Sequence, residues 1–158
     1  MKLRFLSVGI LGLLVIFMII IGCSGKGGIP IPASFIVSHD ASGDWRVVEI
    51  RDDLINDKDG TWKVLVDTVS SKYDLETLDK DSGYLRSAWK HTYVYRSQIC
   101  SKYRSRIVLK TIDNNSKLKV KIESNWLSNR GWLQGYDNIL LKDIYSDLQG
   151  KIGRVITQ

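Results

Sequence analysis

The chain has 158 residues, 23 Lys/Arg against 17 Asp/Glu and a formal net charge of +6, which fits one folded domain better than several. Two cysteines exclude a disulfide framework if Cys23 is modified, because Cys100 is then without a partner. The charge is unevenly divided: residues 24–82 hold seven Lys/Arg and twelve Asp/Glu, whereas residues 83–130 hold eleven and two, an asymmetry that bears on partners more than on fold.

The chain opens with Lys2 and Arg4, followed by an uncharged run, Phe5 to Ile21, that ends at Gly22-Cys23. A basic start, an apolar core and a small residue before a cut are the parts of an export signal. Seventeen residues also reach the short limit of a membrane-spanning helix, so length alone leaves an uncleaved anchor open. Ile20-Ile21-Gly22-Cys23 resembles the lipobox of bacterial lipoproteins. The resemblance implies cleavage before Cys23, a diacylglycerol on its thiol and acylation of the new amino group. One acyl chain holds a protein only marginally, at about 0.8 kcal/mol per buried methylene, whereas two or three hold it permanently. Ser24 stands where an Asp commonly retains lipoproteins at an inner membrane. The resemblance thus implies the periplasmic face of the outer membrane, or the outer face of the plasma membrane in a single-membrane cell.

Ser24 to Gly43 holds both prolines and several glycines, and reads as a tether spanning about 25 Å root-mean-square. The expected organisation is a signal peptide over 1–22, a lipidated Cys23 with its tether over 23–43, and one domain over 44–158. Those last 115 residues carry all five Trp, enough to build a core without staples.

Within the domain, the run Trp45 to Ile50 predicts a first strand that ends in an Asp-rich turn. Asp57 and Asp59 can cap a helix whose apolar positions are Trp62, Leu65, Val66, Val69 and Tyr73. After Tyr73 the apolar period falls to two. Asp74–Leu78 leads through the turn Asp79–Gly83 into Tyr84–Arg96, where alternation groups Leu85, Ser87, Trp89, His91, Tyr93 and Tyr95. Ile99–Ile112 follows, then the turn Asp113–Ser116 and the strand Lys117–Trp126. A loop, Leu127–Tyr136, leads to a closing helix capped by Asp137, with Leu141, Ile144, Tyr145, Leu148 and Ile152 on its apolar stripe. The order β-α-β-β-β-β-α predicts a two-layer α+β domain, an antiparallel sheet of four to five strands carrying two helices on one face.

The run from Trp62 through Trp89, with Ser82-Gly-Tyr-Leu85 followed by Trp89, resembles the helix-grip modules of bacterial envelope lipoproteins, among them the C-component lipoprotein of the outer-membrane β-barrel assembly machinery. The resemblance implies a helix-grip-like fold and an envelope location. It carries no functional residue over.

Catalytic residues are not expected. His39 falls in the tether, His91 in a strand among aromatics, and Cys100 has no His partner. Asp57-Lys-Asp59-Gly60 fails the register of a calcium loop, Asp79 and Asp81 read as turn residues, and no metal or cofactor is expected. Two surfaces attract attention instead. Arg86, Lys90, Lys102, Arg104, Arg106, Lys110, Lys117, Lys119 and Lys121 fall largely on the outward face of three consecutive strands. They form either a solvated face or a seat for anionic lipid or an acidic envelope protein; export makes nucleic acid an unsuitable partner. Trp126, Arg130, Trp132 and Tyr136 form an aromatic loop suited either to packing or to stacking on a sugar or a protein. The expected function is that of a lipid-anchored, non-enzymatic accessory protein that binds an envelope protein or anionic surface. The alternative is a lipid- or glycan-binding module, for which a cavity of several hundred Å³ between sheet and helix is the discriminating feature.

Overall fold

A computed structural model of the chain describes residues 28–38 and 45–154. The chain divides into two units, Met1–Pro30 and Ile31–Gln158. The export segment and Cys23 lie outside the described residues.

The second unit is a two-layer α+β domain. Its elements run β1 (Phe35–Val37), β2 (Arg46–Glu49), α1 (Asp52–Ile55), α2 (Lys58–Ser70), β3 (Leu75–Asp79), β4 (Tyr84–Ser87), β5 (Val94–Tyr95), β6 (Gln98–Ile99), β7 (Tyr103–Ile112), β8 (Lys117–Ser128), β9 (Gly131–Asp137) and α3 (Asn138–Ile152). Seven strands form one sheet in the order β1-β9-β8-β7-β4-β3, with β2 also paired to β8, and every pairing is antiparallel. β5 and β6 form a separate small hairpin.

The core follows the apolar periodicity. Ile107, Leu109, Leu118, Val120 and Ile122 of the two long strands are fully buried against Leu65 and Val69 of α2 and against Ile144, Leu148 and Ile152 of α3. Asp57 caps α2 by accepting the Gly60 N–H at 2.9 Å, and Asp137 caps α3 by accepting the N–H groups of Ile139 and Leu140. The β3–β4 turn needs Gly83, whose φ is +65° and whose missing Cβ would collide with the Thr111 hydroxyl.

Three expectations about the elements are corrected. Residues 31–38, expected in the tether, belong to the folded unit: Phe35 is buried and pairs with Asp137, and β1 edges the sheet. The expected loop Leu127–Tyr136 is instead a hairpin in which Ser128 pairs with Gly131 across the two residues Asn129 and Arg130. Its inward positions are Leu133, Gly135 and Asp137, which give almost no hydrophobic alternation. Gly135 is small because Ile36 and Phe35 cross it closely; a Cβ there would meet the Ile36 carbonyl oxygen and come within 2.8 Å of the Phe35 ring.

The third correction is a bulge. Arg86 pairs with Val108 but Lys90 pairs with Ser105, so one extra residue sits in the strand near Ser87-Ala88. The Ser87 hydroxyl accepts the Ile107 N–H at 2.9 Å, a buried donor that the interrupted ladder would otherwise strand. An insertion of one residue inverts the alternation. Trp89, expected beside Leu85 and Ser87, therefore stands on the opposite, outer face of the sheet.

Candidate functional site

The outer face of the sheet carries most of the basic residues singled out above, and its long strands place them by strict alternation. Arg104 pairs with Asn125, Arg106 with Glu123, Val108 with Lys121 and Lys110 with Lys119. The bulge brings Trp89 into this row, and the β8–β9 hairpin brings Trp132. The Arg104 guanidinium lies 4.6 Å from the Trp89 ring centre and 4.3 Å from that of Trp132, stacked between two indoles. Arg106 lies 4.4 Å from the Trp89 ring centre, and Lys121 lies 5.0 Å from that of Trp45.

Much of this charge is answered locally. Glu123 binds Arg106 at 2.6 Å and Lys121 at 2.6 Å, while Glu76 lies 3.3 Å from Arg86 and 3.5 Å from Arg106. Burial works to raise the Glu123 carboxyl, but hydrogen bonds and charge from Lys121 and Arg106 outweigh it and hold the group below its ordinary range. Lys117 pairs with Asp113 at 2.9 Å. The bulge that turns Trp89 outward turns Lys90, expected on this face, to the helix side, where it donates to the Lys72 carbonyl at 2.6 Å and lies over the Tyr73 ring; Lys110 donates to the Ser82 carbonyl. Arg104 has no carboxylate partner among the described residues, and its buried Nε has no hydrogen-bond partner there. Lys102 and Lys119 likewise have no side-chain partner among the described residues. The face is thus a cross-linked ladder of Trp, Arg and Glu in its middle, with unpaired positive charge at a few positions.

The aromatic residues of 126–136 do not form one surface. Trp126 faces inward, is 5% exposed and packs edge-on against Tyr93. Trp132 faces outward over Arg104, Arg130 sits exposed in the tight turn, and Tyr136 is half-buried where β9 meets β1. Alternation in an extended strand separates side chains that a loop reading had grouped together.

A groove that the sequence does not announce lies at a fork in the sheet. One edge of β8 is covered by β2 from Lys117 to Val120 and by β9 from Ser124 to Ser128, so its cover changes hands near residues 121–123. Below the fork runs α3. The resulting groove has a volume of about 800 Å³, with Trp45, Tyr136, Leu141 and Tyr145 as aromatic and aliphatic walls and Arg46 and Lys142 as cations. A second cleft, of about 350 Å³, lies where α2 approaches the β3–β4 turn and is crossed by the Lys80–Asp59 ion pair at 2.6 Å.

Neither Cys100 nor His91 lines the groove. Cys100 is buried and carries a free thiol. His91 is exposed, with Nδ1 2.7 Å from the Tyr103 carbonyl oxygen; a carbonyl can only accept, so that nitrogen carries the proton. Asp79 accepts the Ser82 N–H at 3.0 Å and serves the turn. Among the described residues no group of three or more His, Cys, Asp or Glu side chains converges as a metal site would, and no helix is long and apolar enough to cross a membrane. No protein-family model matches the chain, and no curated protein matches it.

Proposed function

We propose that this chain is an exported, lipid-anchored accessory protein of the cell envelope that acts by non-enzymatic binding, and that it takes its partner in the groove at the sheet fork. The observation that carries this reading is the groove itself: a concavity of about 800 Å³ with aromatic walls and two cations, Arg46 and Lys142, at its margin. Aromatic and aliphatic walls with a few polar anchors are the usual composition of a binding site, and the volume falls within the usual range for one. The cations select an acidic segment of an envelope protein. The location rests on Lys2, Arg4, the apolar run to Ile21 and the lipobox-like Ile20–Cys23.

A second reading, in which the groove holds a lipid or glycan fragment, is favoured by the same volume and by the pairing of aromatic surface with positive charge. Photocrosslinking in intact envelopes separates the two. With p-benzoylphenylalanine at Trp45 or Tyr145, a protein adduct is expected, and a lipid or glycan adduct would support the second reading instead. Equal labelling from Ser70, an exposed residue at the end of α2, would remove the groove from both.

A further inference from the structure

We propose that the β5–β6 hairpin is a second contact with the membrane, a small loop that seats in the headgroup layer of an anionic bilayer. The hairpin spans residues 94–99, with Val94 paired to Ile99 and Tyr95 to Gln98. Alternation gives it two unlike faces. Tyr95 stacks on Tyr93 with ring centres 6.5 Å apart, and Tyr93 packs edge-on against Tyr103 and Trp126, so the aromatic face lies down on the end of the domain. Val94 and Ile99 point the other way and are 59% and 70% exposed, Ile99 being the most exposed large hydrophobic among the described residues. Two neighbouring aliphatic side chains on the outward face of the hairpin make a small apolar tip.

Charge indicates which surface suits that tip. Of the cations in residues 83–112, Arg86 and Arg106 are paired with Glu76 and Glu123, whereas Arg96 and Lys102, which flank the hairpin, have no carboxylate partner among the described residues. Arg96 sits in the hairpin turn with its guanidinium 5.2 Å from the Tyr95 ring centre, and Lys102 is exposed just past β6. Aliphatic tips flanked by Tyr, Arg and Lys suit an interface whose surface is anionic and whose interior is apolar. The backbone has also been bent to present them: Arg96 and Ser97 both have positive φ, at 49° and 63°, a turn conformation that Asn and Gly adopt far more readily.

The attachment point agrees. Pro32 and Ser34 line a small cavity with Thr92 and Tyr93, so the chain enters the folded unit beside the foot of the hairpin. Seven residues lie between Cys23 and Ile31, and the eight steps across them reach at most about 28 Å in extended chain. The proposal rests on the lipid-anchored reading for its location, and on the described residues for everything else.

The test uses the full mature protein in vesicles of phosphatidylglycerol and phosphatidylethanolamine, with a nitroxide at Ile99→Cys or, as a control, at Ser82→Cys in the turn at the opposite end of β7; both are made on Cys100→Ser. Relaxation by oxygen and by an aqueous nickel complex reads the depth of each label. Position 99 is expected to be lipid-like and position 82 water-like. Arg96→Gln should lower the lipid-bound fraction of the hairpin about fivefold, the effect of roughly one basic side chain at an anionic surface. The intact mass of each sample counts acyl groups on Cys23 independently. An acylated protein with position 99 as wet as position 82 overturns the hairpin proposal and leaves the anchor standing. An unacylated protein with a lipid-like position 99 overturns the anchor and supports the hairpin.

Discussion

Asp137 is the point at which three parts of the domain are tied, and its removal is the sharpest test of how they are held. Its Oδ1 accepts the Ile139 and Leu140 N–H groups at 3.1 and 3.0 Å, while its Oδ2 accepts the Tyr103 hydroxyl at 2.7 Å and the Ser34 hydroxyl at 2.9 Å. One carboxylate, 8% exposed, thus caps α3, holds β7 and fastens the segment before β1. Asp137→Ala removes a helix cap, which costs about 1 kcal/mol. It also takes the charged acceptor from the buried Tyr103 hydroxyl, leaving it only the neighbouring Ser124 hydroxyl, at about 1–3 kcal/mol. Ser34 can turn to water, so the total is about 3 kcal/mol, equivalent to a fall in Tm of about 15 °C for a domain of this size. Urea unfolding followed by tryptophan fluorescence reads it directly. Tyr103→Phe alone should cost about 1 kcal/mol, because the carboxylate keeps its other three donors, and the double variant should fall short of the sum by about 1 kcal/mol. A loss below about 1 kcal/mol for Asp137→Ala, or strict additivity with Tyr103→Phe, would refute the shared-carboxylate account.

Three further outcomes are expected. Ser87→Ala strands the buried Ile107 N–H and should cost about 1–3 kcal/mol by urea unfolding, whereas Ser87→Thr, which keeps a hydroxyl, should cost less. Gly135→Ala forces a methyl group into the crossing of β1 over β9 and should cost about 1–3 kcal/mol, with amide exchange accelerated first in residues 35–37. Glu123 has its folded value depressed below 4.5, so it stabilises the fold above the ordinary carboxylate range. That contribution is lost as pH falls through the depressed value. Glu123→Gln should therefore flatten the stability profile at acid pH, and an unchanged slope would mean that the Arg106–Glu123–Lys121 cluster contributes little.

Legibility in the sequence followed the length of each periodic run. Ile107 and Leu109 against Arg106 and Lys110, and Leu118, Val120 and Ile122 against Lys119 and Lys121, were readable because each strand is long and buried on one face only. The helix stripes Leu65/Val69 and Leu141/Ile144/Leu148 and the Asp137 cap were readable for the same reason. β1 and β9 escaped because three residues, or a row of Leu, Gly and Asp, give no period to detect. The Trp89–Arg104–Trp132 stack escaped because it depends on a one-residue insertion at Ser87-Ala88 that no local pattern marks.

What the sequence determined by itself was the two-layer α+β class, because alternating and helical stripes of apolar residues must each be buried against something. Tertiary structure alone decided how the charges are spent. Whether Arg106 is a binding group or the partner of Glu123 and Glu76 depends on which residues lie across the sheet, and Glu76 is thirty positions away along the chain. The groove was decided in the same way: Trp45, Tyr136 and Tyr145 meet only because β8 is longer than either strand that covers its edge, and strand length relative to a neighbour is a property of the assembled sheet rather than of any one segment.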